Sequence, residues 1–258
     1  MSEVEVVEAA RRALGPVGVL LPVTLAVPAS IDRQRQAVVT LEGAGLRAAW
    51  TNELLGKDAL VQLALLLGAT EAMTFGTGIA NIWLREPQTL RAAAAELAQG
   101  YPDRFVLGMG VGYRQQAETV GKDFGQPVDT MRDYLVRMDG PTWVPVPEAR
   151  YPRIIAANGP KMLALAGEVA DGAFPAGLSP EFTEQARVVL GPHRLLVVGL
   201  SIILDESQQA NPDHVVEAVQ GHLSAGADHV VVMLPMGGDY TEGVDQLAIL
   251  SPHLARTS

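Results

Sequence analysis

Eight apolar runs of strand length alternate with eight helical stretches along the 258 residues, and few folds accommodate that alternation. The strand candidates are Val17–Pro22, Leu46–Thr51, Ala72–Thr77, Arg104–Gly110, Arg153–Ala157, Asp171–Phe174, Leu195–Leu204 and His229–Leu234. Most are solidly apolar rather than alternating, as parallel strands covered on both faces should be. Helical periodicity falls at about 31–43, 58–67, 87–99, 128–138, 160–169, 180–189, 212–224 and 241–254. Gly45, Gly68, Gly100, Gly172, Gly191 and Gly226 each stand between a helical stretch and the next strand, where positive φ is common. The segment before the second strand, Leu41-Glu42-Gly43-Ala44-Gly45, and that before the eighth, Leu223-Ser224-Ala225-Gly226, look like copies of one unit. Such units build a parallel sheet, and eight of them fit a closed (β/α)8 barrel better than the rival, an open doubly wound sheet. One barrel domain over 1–258 is expected. The proline-rich stretch 139–152 is read as a connection within it, and the helix-like segment Val4–Leu14 as a plug for the barrel floor.

Composition narrows the function classes. The formal net charge is −10 with no basic stripe, so nucleic acid is not an expected partner. There is no cysteine, hence no disulfide, thiolate metal site or cysteine nucleophile. The start Met1-Ser2-Glu3-Val4-Glu5 is acidic where a signal peptide would be basic, and the longest apolar run, Ala59 to Leu67, is too short to span a bilayer. A cytoplasmic protein without membrane contact is the expectation. All five histidines lie after residue 190, and none has the spacing with carboxylates that a zinc site needs. His229 opens a strand and so belongs at the non-catalytic end of a barrel.

Barrel chemistry sits where strands end. After the second strand come Asn52 and Glu53, an amide and a carboxylate suited to orienting a substrate or accepting a proton, or equally to bracing a loop. The third is followed by Gly78, Ile79, Ala80, Asn81, Ile82 and Trp83, a stretch able to wall a flat ligand or simply to turn inside the core. The fourth ends in Gly108-Met109-Gly110-Val111-Gly112-Tyr113. This run lacks the last glycine of a dinucleotide fingerprint and opens no first βαβ unit, so a glycine-lined floor under a ring is preferred to a Rossmann reading. The fifth is followed by Ala157, Asn158, Gly159, Pro160 and Lys161, a helix start whose free N–H groups can receive an anion. Two helices, at 58–67 and 87–99, are apolar or flat where an outer helix should be polar, which points to a homodimer through them.

These motifs resemble the luciferase-like monooxygenase superfamily, in particular its branch dependent on the deazaflavin coenzyme F420. The likeness rests on Ala49-Trp50-Thr51-Asn52-Glu53, Thr77-Gly78-Ile79-Ala80-Asn81-Ile82-Trp83, Arg104-Phe105-Val106-Leu107-Gly108-Met109-Gly110, Asn158-Gly159-Pro160-Lys161-Met162 and Ala225-Gly226-Ala227-Asp228-His229-Val230. It implies a barrel, dimeric through its early helices, with the ring lying across the strand ends and its rear face on a non-prolyl cis peptide at Gly78–Ile79. It also implies that Asn52 and Glu53 approach the reactive edge, that Gly108, Gly110 and Val111 flank the ring, and that Asn158 and Gly159 lie near the polar tail. Glu53 is then the expected acid/base group, with Tyr113 as substitute.

The chain departs from the family pattern in two places. Relatives often carry a histidine near the second or fourth strand end, where this chain has Asn52-Glu53 and Gly112-Tyr113. The segment after the seventh strand, residues 204–211, is shortened, which is expected to weaken cofactor affinity. Three readings stay open: hydride transfer between F420 and a small organic substrate, an FMN-dependent monooxygenase, and a cofactor-free barrel with a binding role.

Overall fold

A computed structural model describes residues 3–204 and 209–254. Its strands are β1 (Val17–Leu20), β2 (Ala48–Thr51), β3 (Thr74–Thr77), β4 (Ala80–Asn81), β5 (Phe105–Gly110), β6 (Arg153–Ile155), β7 (Gly172–Ala173), β8 (Leu195–Ser201) and β9 (His229–Met233). Every pairing between them is parallel, and β1 beside β9 (Val17↔Val230) closes the ring. β3 and β4 are two lengths of one stave. β3 pairs with the start of β5 (Phe75↔Phe105) and β4 with its end (Asn81↔Gly110), and the peptide bond Gly78–Ile79 between them is cis. The result is a closed barrel of eight staves, as expected, and not an open sheet.

Around it run α1 (Glu3–Leu14), α2 (Ile31–Gly43), α3 (Ala59–Leu67), α4 (Pro87–Gly100), α5 (Arg114–Thr119), α6 (Pro127–Met138), α7 (Pro160–Val169), α8 (Pro180–Leu190), α9 (Pro212–Ser224) and α10 (Tyr240–Leu254). Local chemistry starts them where they start. Ser30, Asp58 and Asn211 accept from first-turn N–H groups of α2, α3 and α9, and proline occupies the first turn of α4, α6, α7, α8 and α9. The expected shortened segment is flanked by Leu204 and Ala210, which form a bridge, but its residues 205–208 lie outside the described residues.

Burial on both faces explains the solid apolar runs. In β8, Leu195 and Val197 point into the barrel while Leu196 and Val198 face the helices. β5 and β9 divide the same way, with Val106 and Val231 inside. The inner cluster also holds Val7, Ala10 and Leu14 from α1, so the opening helix does plug the barrel. The plug is tied to the lower rim, where Arg11 donates to Arg194 O at 3.0 Å. Beside it, Asp228 accepts from Arg187 and from Leu196 N, each at 2.7 Å.

Inside the barrel, Trp50 Nε1 donates to His229 Nε2 at 3.0 Å and His229 Nδ1 donates to Gly15 O at 2.7 Å. Both bonds are made only by the neutral ring protonated on Nδ1. Burial pushes the His229 pKa from about 6.5 down to about 4. The unfolded chain therefore takes up a proton that the native state refuses. His229 leaves stability undiminished above about pH 6.5 and lowers it as pH falls toward 4. His229→Leu is expected to lose about 1–3 kcal/mol at neutral pH, by orphaning the indole N–H. It is also expected to flatten the decline between those pH values, which urea titrations at several pH values would measure.

The two helices expected to meet a partner differ. α3 displays Val61 and Leu65, Leu55 is exposed just before it, and Leu25 and Val27 are exposed in the β1–α2 loop. In α4, by contrast, Leu90, Ala94, Ala95, Leu97 and Ala98 are buried within the chain itself. No helix of the described residues is long and apolar enough to cross a membrane.

Candidate functional site at the stave ends

Thr51 ends β2, and the chain after it turns sharply. Gly56 takes φ +94°, and Lys57 N donates to Leu54 O at 2.8 Å. The turn folds Lys57 back over the stave end, where its Nζ donates to Thr51 Oγ1 at 2.7 Å and Asn52 Oδ1 at 2.8 Å. Thr51 in turn donates to Gln62 Oε1 at 2.6 Å. Burial pushes the lysine pKa down to about 8 against the opposing pull of Glu53. Sequence reasoning missed Lys57. The one signal available was its rarity, as one of three lysines in the chain.

Glu53 is only 3% exposed and its carboxylate is fully engaged. Oε1 accepts from Arg85 Nε and Nη2, both at 3.1 Å, and from Ala59 N at 3.3 Å, while Oε2 accepts from Asn81 N at 3.0 Å. Arg85 also pairs with Asp58, the cap of α3. One carboxylate thus ties the end of β2 to α3, β4 and Arg85. This is the bracing alternative, and it corrects the expectation of an acid/base group at Glu53: the side chain has neither access nor a free partner. Tyr113 is 74% exposed at the start of α5.

The expected cofactor residues divide by burial. Gly108, Asn81 and Ala157 are inside the structure, as Gly110 is. Thr77 Oγ1 donates to Gly108 O at 2.7 Å and accepts from Gly108 N at 2.9 Å; a Cβ on Gly108 would sit 2.1 Å from Thr77 O. That glycine serves stave contact. Asn81 is spent on Glu53 and on Trp83 N, which donates to its Oδ1 at 3.0 Å.

Gly78, Ile79 and Val111 remain half-buried at the rim, with Gly110 beneath. A Cβ on Gly78 would lie 2.7 Å from the Phe174 ring and one on Gly110 2.9 Å from the tip of Ile79, so a side chain at either place would have to push a neighbour aside. Asn158 is exposed but turned to Ala176, donating to its O at 3.2 Å and accepting from its N at 2.9 Å. Gly159 begins α7 without a side-chain cap, and Lys161 on its first turn is exposed.

Residues 16–140, from β1 through α6, match the family model for luciferase-like monooxygenases. The match covers a little under half of the chain and makes this part of the barrel similar to luciferase-like monooxygenases. That part holds Glu53, Lys57 and the Gly78–Val111 rim, whereas Asn158 and Lys161 lie beyond it. A putative coenzyme F420-dependent oxidoreductase of Mycobacterium tuberculosis is 28% identical over 177 residues, 56% of this chain and 51% of that protein. The chain spans about half the length of the curated relatives it matches. Among solved structures, an F420-dependent secondary alcohol dehydrogenase aligns with TM-score 0.73 at 14% identity, over 93% of this chain and 98% of that one. The oxygenating constituent of 3,6-diketocamphane monooxygenase of Pseudomonas putida, in complex with FMN, aligns with TM-score 0.70 at 14% identity, over 94% and 98%. At such identities the likeness is one of fold.

Proposed function

We propose that this luciferase-like protein is an oxidoreductase that takes the deazaflavin coenzyme F420 at the ends of β3, β4 and β5 and serves hydride transfer to or from a small organic substrate. The observation that carries the reading is the half-buried patch at the rim where Gly78 and Gly110 lie beside Ile79 and Val111. Gly78 and Gly110 add no side-chain bulk, and with Ile79 and Val111 they make an apolar, half-buried floor of the kind a planar ring needs. The names of two curated relatives, an F420-dependent oxidoreductase and an F420-dependent dehydrogenase, support the choice of coenzyme. Bound there, the coenzyme would supply the hydride chemistry and the protein the orientation.

The chain's own groups have separate tasks. Ile79 and Val111 cover one face of the ring and keep water from it. The first-turn N–H groups of α7, with Lys161 beside them, receive the anionic tail. Glu53 is no proton carrier here; Tyr113 Oη, exposed at the start of α5, is left to exchange a proton with substrate. A second copy of the chain would seat on α3 and not on α4, whose apolar side is already covered.

Titrating the purified protein with F420 while following coenzyme fluorescence tests this reading. Saturable binding is expected, and Val111→Trp should weaken it by about tenfold or more, or about 1.4 kcal/mol, through steric block of the floor. No saturable binding overturns it. A parallel titration with FMN separates the two cofactors: tighter FMN binding moves the reading to a flavin monooxygenase.

A further inference from the structure

The floor ends at Val111, and the stretch of chain that follows is held on the barrel by very little. Residues 113–124 run from the end of β5 toward α6 and carry α5, between Gly112 at φ +52° and Gly125 at φ +58°. Among the described residues, no backbone hydrogen bond ties 113–123 to another element. The bonds made there are internal: Gln116 Oε1 accepts from Tyr113 N at 2.9 Å, Thr119 Oγ1 donates to Gln115 O at 2.7 Å, and Lys122 N donates to Ala117 O at 2.9 Å. The Arg114 guanidinium lies over the Phe124 ring, 5.1 Å from its centre, and so joins the two ends of the segment. A surface loop packed on its own side chains with its ends together is a compact unit.

Its fastenings to the rest of the barrel are few. α5 buries Ala117 alone. The Phe124 ring rests on Trp83, with centroids 5.8 Å apart, and Thr130 Oγ1 donates to Phe124 O at 3.1 Å beside the Gly125 end. Lys122 pairs with Glu86 at 3.3 Å, but both side chains are more than half exposed, and such a pair adds little. The ring contact is therefore the main fastening away from the two glycines. Both of its sides belong to the proposed ring site. Trp83 Nε1 donates to Val111 O at 2.7 Å, which anchors the fixed side to the floor. The other side carries Tyr113, the group assigned to proton exchange.

We propose that residues 113–124 form a gate at the β5 side of the ring site, swinging on Gly112 and Gly125 and fastened shut by Phe124 on Trp83. Open, it clears the edge of the floor beyond Val111; shut, it returns Tyr113 to the rim and covers Trp83. Glycine at each end lets the backbone turn without hindrance from a side chain. Segments with few buried apolar contacts are the ones that open locally while the rest of a fold stays intact. What passes the gate rests on the oxidoreductase reading; the motion does not. A helix of six residues does not keep its hydrogen bonds once it leaves its support, so each opening exposes the amides of α5 to solvent.

Hydrogen exchange followed by mass spectrometry on the full chain, without coenzyme, tests the motion. The amides of 113–124 are expected to exchange about a hundredfold or more faster than those inside α4 and α6. Phe124→Ala should speed the segment by about a further tenfold and leave α4 and α6 unchanged. The chain has no cysteine, so Glu86→Cys with Lys122→Cys can be bridged selectively by a short bis-maleimide that replaces the ion pair with a covalent strap. The bridge should slow exchange in the segment by about tenfold and slow F420 association by about as much. Should the double variant fail to fold, Phe124→Ala and the wild-type exchange pattern decide the matter. Exchange in 113–124 as slow as in α4 and α6, exchange untouched by Phe124→Ala or by the bridge, or F420 association unchanged by the bridge overturns the proposal. Because exchange is read with no coenzyme present, a failed F420 titration removes the coenzyme reading and leaves the gate, whereas a fixed segment removes the gate and leaves the coenzyme reading.

Discussion

Arg85→Met is expected to lower the free energy of unfolding by about 3–5 kcal/mol, seen in urea as a reduced midpoint with an unchanged slope. The guanidinium is 15% exposed and carries two of the four bonds to Glu53, whose carboxylate is 2% exposed. Removing it strands a buried charge that Ala59 N and Asn81 N alone must hold. The same change frees Asp58, but that carboxylate is 45% exposed and water can solvate it. Adding Glu53→Leu to Arg85→Met should restore part of the loss, since a buried pair replaced whole by apolar groups is often tolerated. The cycle also separates the two roles weighed for Glu53. As a brace, Glu53→Gln lowers stability, by about 1–3 kcal/mol through the weakened bonds to Arg85. As an acid/base group it would leave stability unchanged and abolish turnover.

Staves and helices were legible because period and burial agree. A strand covered on both faces reads as an unbroken apolar run, and β5, β8 and β9 show that pattern. The interruption of the third stave did not show, since Gly78-Ile79 continues an apolar run without a change of period; only the family resemblance pointed to it. The short helix α5 buries Ala117 alone, too little to create an amphipathic signal. At the site, strand ends could be located but partners could not. Glu53 becomes a brace through Arg85, 32 residues further on. Lys57 becomes a buried donor through a turn whose Gly-Lys-Asp composition reads as solvated loop. Long-range pairing decides both roles, and no local pattern records it.

The glycines show the same limit and supply the second large expected effect. Gly45, Gly191 and Gly226 take positive φ after helices, as their positions predict. Gly68 and Gly100 do not, and Gly172 is not at a helix end at all: it is the first residue of β7, paired with Leu195. A Cβ there would sit 1.9 Å from Leu195 O and 2.7 Å from Leu195 C. Backbone, not a flexible side chain, stands in the way. Neither strand can step aside, because Leu195 N donates to Asp171 O at 2.8 Å and Arg153 N donates to Asp171 Oδ2 at 2.8 Å, locking β7 between its neighbours. A closed barrel passes any displacement on to the next stave. Gly172→Ala is therefore expected to destabilise by about 3 kcal/mol or more, or to prevent soluble expression. Gly43→Ala, on α2 with nothing within 4 Å of the added carbon, is expected to be neutral or stabilising by up to about 1 kcal/mol. Thermal unfolding of the two variants side by side checks the account. If Gly172 served only to relax a helix end, both substitutions would be mild, and a Gly172→Ala variant melting near the wild-type temperature would remove stave contact as its role.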